Sequence, residues 1–192
     1  MKNDALMRTG PKALIELMEN HVLHLEKEYV LHHHVCDRLN IIERNWLGIP
    51  MIILSAVSTG AYLQIFQSTS TSELLKFVPI FCSIASMTLA SLMTFLDLSA
   101  KAIRHHNSAS NYYNLLNQCI AYLADPEIES LSPEELRKRE RDIAMRMYDL
   151  LKDSPPIPGW AYAKVNKLIE NEVKLRAKLQ KMRETKIEEV FD

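Results

Sequence analysis

Two stretches without a single charged side chain, Asn45 to Ser72 and Phe77 to Leu96, interrupt a chain that is densely charged on either side. Each supplies the roughly 20 apolar-dominated residues that a helix needs to cross about 30 Å of hydrocarbon. The first begins at Trp46, just after Arg44, and fades into Gln67-Ser68-Thr69-Ser70-Thr71-Ser72; the second stops at Asp97. The pattern predicts two spans, about 46–66 and 77–96, folded as a transmembrane hairpin. The competing reading, a pair of core helices in a soluble bundle, asks a chain of 192 residues to bury two unusually long apolar helices. A charge content of 24% describes the flanks and not the spans, and insertion is decided by the local window.

The flanks read as helices. From about Pro11, the residues Leu14, Met18, His21, Leu25, His32, Cys36, Leu39 and Ile42 recur at three- and four-residue steps, a semi-apolar stripe on one face. Neither Gly nor Pro occurs between Ala13 and Trp46, so this helix is expected to enter the bilayer without a break, with Gly48 and Pro50 in the first turns of the span. The second span is expected to run on as one rod from Asp97 to Ala124, with Ile103, Leu115, Leu116, Ile120 and Leu123 making apolar contacts, until Asp125-Pro126 ends it. Ser132-Pro133-Glu134-Glu135 is a helix start: a capping Ser, Pro in the first helical position and Glu at the third for a capping box. The helix it opens, about 133–152, carries Leu136, Ile143, Met147, Leu150 and Leu151. Ser154-Pro155-Pro156-Ile157-Pro158-Gly159 closes it as a rigid connector. A last helix, about 161–189, places Leu168, Leu175 and Met182 seven residues apart, flanked by Val165, Val173 and Leu179, as in a short coiled-coil seam. Only four glycines and no alternating apolar run argue against strands. The expected fold is all-α: an N-terminal helix over 1–44, the hairpin over 45–97 and a helical region over 98–192.

Charge sets the orientation. Lys27, Arg38 and Arg44 precede the first span and Lys101 and Arg104 follow the second, whereas the turn between them offers only Lys76 against Glu73. The positive-inside bias places both termini in the cytoplasm. No signal-type apolar core precedes Trp46. The net charge of -1 gives no basic footprint for nucleic acid. Cys36, Cys82 and Cys119 are too widely spaced for a zinc pattern or a disulfide framework and read as reduced thiols. The consecutive His32-His33-His34 diverge by about 100° per residue on a helix and cannot close round one metal. No phosphate loop, metalloprotease helix or nucleophile elbow is present, so no cofactor and no catalytic residue are assigned. An enzyme working at the membrane edge near Asp97 and His105 is the weakest reading.

The spans themselves carry the more specific signal. Ser83, Ser86, Ala90, Thr94 and Asp97 share one narrow face of the second span, and Ser55, Ser58, Thr59 and Tyr62 share a face of the first. Small polar residues of this kind serve close helix packing, or they line water when several protomers form a ring. Two spans cannot enclose a conduit alone, so the second use requires a homo-oligomer. Ala56 and Gly60 form a small-xxx-small pair.

The layout of long helix, two-span hairpin, continuing helix and Pro-rich break resembles the SLATT domain family. The closest local matches lie from Phe95 to Leu116, notably Lys101, His105, Ala109, Tyr112 and Leu116, and in the connector Pro155-Pro156-Ile157-Pro158. The resemblance covers about 13–182. It implies a pore-forming effector of conflict systems that permeabilises a membrane when a separate sensor protein signals, and it carries no catalytic residue across. The alternative within the same sequence is a non-enzymatic anchor whose helices dock a larger assembly, such as a viral shell or a membrane complex.

Overall fold

The computed structural model describes residues 10–67 and 73–167. All regular structure among them is helical: α1 (Pro11–Ile41), a π-helical segment (Ile42–Gly48), α2 (Ile49–Gln67), α3 (Glu73–Leu96), α4 (Leu98–Leu123), a 3-10 turn (Ile128–Ser130) and α5 (Pro133–Asp153). A further helix, α6, is described over 159–167. The heptad leucines expected at Leu168 and Leu175, and Met182, lie outside the described residues. The chain divides into two units, one of residues 35–106 and the other of residues up to 34 together with those from 107 onward.

In the second of these units, α1 and α4 run antiparallel. Cys119 Sγ on α4 reaches the Met18 carbonyl of α1 at 3.6 Å, and His32 of α1 stacks on Tyr112 of α4 with ring centroids 5.5 Å apart. Met18, Leu25, Tyr112, Leu115, Leu116, Cys119 and Ile143 form the core, with Val22, Tyr29, Met147 and Leu150 packed at its border. A smaller cluster of Leu14, Ile128 and Leu136 closes the end where α5 begins. His21 of α1 meets Glu140 of α5 at 3.3 Å and adds a polar tie between those helices. Ala161 and Val165 of α6 are completely buried.

Ser108 and Leu115 of α4 are buried, and so is a regular series made of Leu98, Ala102, His105, Ala109, Tyr112, Leu116 and Cys119. The spacing of the series alternates four and three, the heptad pattern of a supercoiled seam. Of the apolar face expected from sequence, Leu115 and Leu116 are buried and Leu123 packs at the core's border, whereas Ile103 and Ile120 need correction. Ile103 and Ile120 stand 57% and 46% exposed, because the seam runs through Leu98, Ala102, His105, Ala109, Tyr112 and Leu116 and leaves both isoleucines off it. On α5, Leu151 likewise points outward at 53% exposure.

The expected unbroken rod from the second span also needs correction. Pro79 lies inside α3 and is buried. Proline gives no N–H to the preceding turn, a loss that spanning helices tolerate when neighbours approach closely. Asp97 then separates α3 from α4 with φ of 47°, the left-handed region in which Asp is among the few residues regularly found. Helical hydrogen bonds still flank it, from Asp97 N–H to Met93 and from Lys101 N–H to Asp97, each 3.2 Å. The helix is therefore bent at Asp97 and not terminated.

The first span is not entered smoothly either. Over Ile42–Gly48 the helix widens to a π turn, and the Ile49 N–H reaches back to the Arg44 carbonyl. Pro50 explains it: the ring would collide with the carbonyl four residues earlier, and an extra residue in the turn relieves the collision. Gly48 sits on the inner side of the widened turn, where an added Cβ would come within 3.3 Å of the Glu43 carbonyl.

The start of α5 is built as its sequence demands. Ser132 Oγ accepts the Glu135 N–H, and the Glu135 carboxylate accepts the Ser132 N–H at 3.2 Å. The Ser132 hydroxyl and N–H hold the Glu135 carboxyl below the usual carboxylate range. Asp125 is depressed in the same direction, first by the Glu127 N–H and then by Arg139, which donates to it at 3.1 Å. A carboxyl whose folded pKa is lowered stabilises above its ordinary pKa and loses that contribution as pH falls through the folded value. We expect thermal stability to decline below about pH 4, and Glu135→Gln to flatten the decline, as read by circular dichroism melts across the acid range.

Candidate functional site

The hairpin brings the serines of the two spans together. Ser55 Oγ and Ser86 Oγ are 2.7 Å apart, and Ser58 Oγ and Ser83 Oγ are also 2.7 Å apart. Backbone acceptors extend the seam: Ser58 donates to the Pro79 carbonyl at 3.0 Å, and Ser86 donates to the Met51 carbonyl at 3.4 Å. The i, i+3 spacing in each span places two hydroxyls one turn apart on the contacting face, and antiparallel pairing matches Ser55 with Ser86 and Ser58 with Ser83. Hydroxyls of this size let the backbones approach and replace water as hydrogen-bond partners.

The remaining members of the two stripes do not join these pairs. Thr59 and Thr94 donate back along their own helices, to Ser55 at 2.9 Å and Ala90 at 3.1 Å. Thr88 and Ser91 do the same toward Ile84 and Met87. Tyr62 is exposed, as are Ala90, Thr94 and Asp97. The seam is not sealed: Ser55 and Ser83 stay exposed while Ser58 and Ser86 are half-buried. Sequence reasoning found the hydroxyls but missed the Pro79 and Met51 carbonyls, since a wheel of side chains carries no record of backbone acceptors.

The positions that suggested a family fall elsewhere and do other work. His105, Ala109, Tyr112 and Leu116 are seam residues of α4, buried at 6%, 3%, 1% and 7%, whereas Phe95 and Lys101 face outward. Burial holds the His105 imidazole below its ordinary pKa. Burial likewise raises the Tyr112 phenol, whose oxygen accepts a long 3.5 Å contact from the Ser154 hydroxyl at the start of the Pro-rich connector. In that connector Pro155, Ile157 and Pro158 are half-buried and Pro156 is exposed.

Two helices are long and apolar enough to cross a membrane, running within Pro11–Ile65 and Lys76–Leu123. Their most apolar 18-residue windows are 0% and 11% buried, where core helices of a soluble protein would be covered. Fold and seam thus define an all-helical protein built on a two-span hairpin. Residues 29–180 match the family described as SMODS and SLOG-associating 2TM effector domain family 4, and the chain belongs to that family. It is a membrane protein of the effector type that the family name describes. No curated protein and no solved structure matches the chain at significant similarity.

Proposed function

We propose that the protein is a non-enzymatic pore-forming effector, in which hairpins from several protomers surround a water-filled conduit. The cytoplasmic helices hold that conduit closed until a separate sensor signals. The observation that carries the reading is the open edge of the serine seam. Ser55, Thr59, Ser83 and Thr94 remain accessible on a largely apolar hairpin, as do Thr88 and Ser91. Polar groups facing hydrocarbon are costly, so a wet ring interior is the environment that suits them. Opening would require a signal that binds the open and closed arrangements with different affinity. The resulting leak would arrest the cell in a defence response.

Thr94 gives the sharpest test, because its hydroxyl donates to Ala90 of its own helix and its loss leaves the serine pairs intact. In liposomes holding the full chain, Thr94→Leu is expected to cut ion or dye leakage severalfold while oligomer size is unchanged. Wild-type protein that stays folded and oligomeric yet never leaks under any trigger would sink the conduit. One observation favours a second reading, a membrane anchor: the four serines spend their hydroxyls on one another inside the hairpin. An anchor would tolerate Thr94→Leu with no change in any membrane property.

A further inference from the structure

α4 carries a second heptad line, on its outward side. Ser110, Tyr113, Asn117 and Ile120 follow one another at steps of three and four, and all four are exposed. Tyr113 leans on Tyr29 of α1, with ring centroids 5.3 Å apart, yet stays 47% exposed, and Ile120 stays 46% exposed. In heptad terms Ser110 and Asn117 occupy a, and Tyr113 and Ile120 occupy d. Asn114 and Ala121, beside them at e, are exposed as well. No Asp, Glu, Lys or Arg occurs between Arg104 and Asp125. The neighbouring helices differ: α1 exposes Glu16, Glu19 and Glu26, and α5 exposes Lys138, Arg141, Asp142 and Asp149. A helix face emptied of charge, with large apolar residues seven apart, has the composition of a contact surface.

We infer that a second copy of this chain covers this line, with the two α4 helices parallel and in register. The inference rests on the hairpin spanning a bilayer and stands whether or not the assembly conducts. The bilayer sets the geometry. Two copies inserted with the same orientation carry every residue at the same depth, so the two-fold axis relating them runs along the membrane normal. Each residue of the line then meets its own counterpart. Charge and hydrogen bonding select the partner. A charged side chain brought against this line would lose water and find no counter-ion on it. An Asn amide and a Ser hydroxyl each donate and accept, so Asn117 and Ser110 complement copies of themselves. A single Asn among the a positions is also the device by which parallel two-stranded coils fix their register, at a cost in stability. Two heptads built this way are weak between free molecules. Confinement to one membrane supplies the effective concentration they need.

The test is disulfide trapping of the full chain in liposomes, with one cysteine added at a time. The three native thiols are buried and do not compete, and the wild-type chain serves as the control. Under mild oxidation Ser110→Cys and Asn117→Cys are expected to form a covalent dimer at least about tenfold faster than Asn111→Cys or Lys138→Cys, since only Cα atoms within about 7 Å can be bridged. Asn111 is exposed on α4 away from the line, and Lys138 is exposed on α5. Ile120→Glu, a change at a half-exposed position, should abolish trapping at Ser110→Cys while the helical circular dichroism stays native. Equal rates at all four positions, no trapping at any of them, or trapping that survives Ile120→Glu would each overturn the inference. Dye leakage without trapping at Ser110 or Asn117 overturns it and leaves the conduit standing. Trapping at both without leakage under any trigger does the reverse.

Discussion

Leucine at both Ser58 and Ser83 is expected to splay the hairpin. The two hydroxyl oxygens are 2.7 Å apart, which leaves no space for a pair of isobutyl groups between the backbones. Overpacking of this kind costs about 1–3 kcal/mol at each site. The hydrogen bonds themselves are worth less, about 0.6 kcal/mol each on average between spanning helices. Alanine at the same two positions should therefore be well tolerated, and steric exclusion rather than lost bonding should govern the outcome. Disulfide formation reports it. With the three native cysteines replaced by alanine, Ser55→Cys and Ser86→Cys should join within one chain, since the Oγ atoms they replace are in contact. The alanine pair should leave this cross-link intact, and the leucine pair should slow it severely. Equal cross-linking in both backgrounds would show that the serines do not set the helix separation.

The second large effect is at Tyr112. Its ring is 1% exposed at the middle of the α4 seam and stacks on His32. Removing a buried aromatic side chain costs about 3–5 kcal/mol, a large part of the 5–15 kcal/mol that holds a typical domain. Tyr112→Ala is expected to abolish cooperative unfolding of the unit formed by α1, α4 and α5. Tyr112→Phe should cost less than about 1 kcal/mol, because the 3.5 Å contact to Ser154 is long for a hydrogen bond. Denaturant titration of the full chain in detergent, followed at the helical circular dichroism band, distinguishes the two. Comparable losses in both variants would move the weight from the ring to the hydroxyl.

Much of this architecture is written in local pattern. The two charge-free stretches locate α2 and α3, the Ser132 to Glu135 box starts α5 where it should, and most of the α1 stripe is buried as spaced: Leu14, Met18, Leu25, His32 and Cys36. What escaped a reading of the sequence depends on geometry that residue type does not encode. On α4 the expected Leu115 and Leu116 are buried, but Ile103 and Ile120 stand outside the seam, where Ala102 and Ala109 fit the close approach that a supercoil requires. The bend at Asp97 and the π turn before Pro50 are backbone events; the proline was visible, but the form of its accommodation was not. The serine stripes were legible as stripes. Which hydroxyl meets which depended on the register of the hairpin, and that is fixed by pairing across space.

The three cysteines of the chain are free thiols, each buried in a different place: Cys36 near the end of α1, Cys82 in α3 and Cys119 in α4. Burial pushes the Cys119 thiol up to about 11, so almost none of it is the reactive thiolate at neutral pH. Because all three thiols are buried, an alkylating reagent has to wait for each region to open. The native chain thus carries its own set of three clocks, and the order in which they are stopped would record which part of the molecule loosens first.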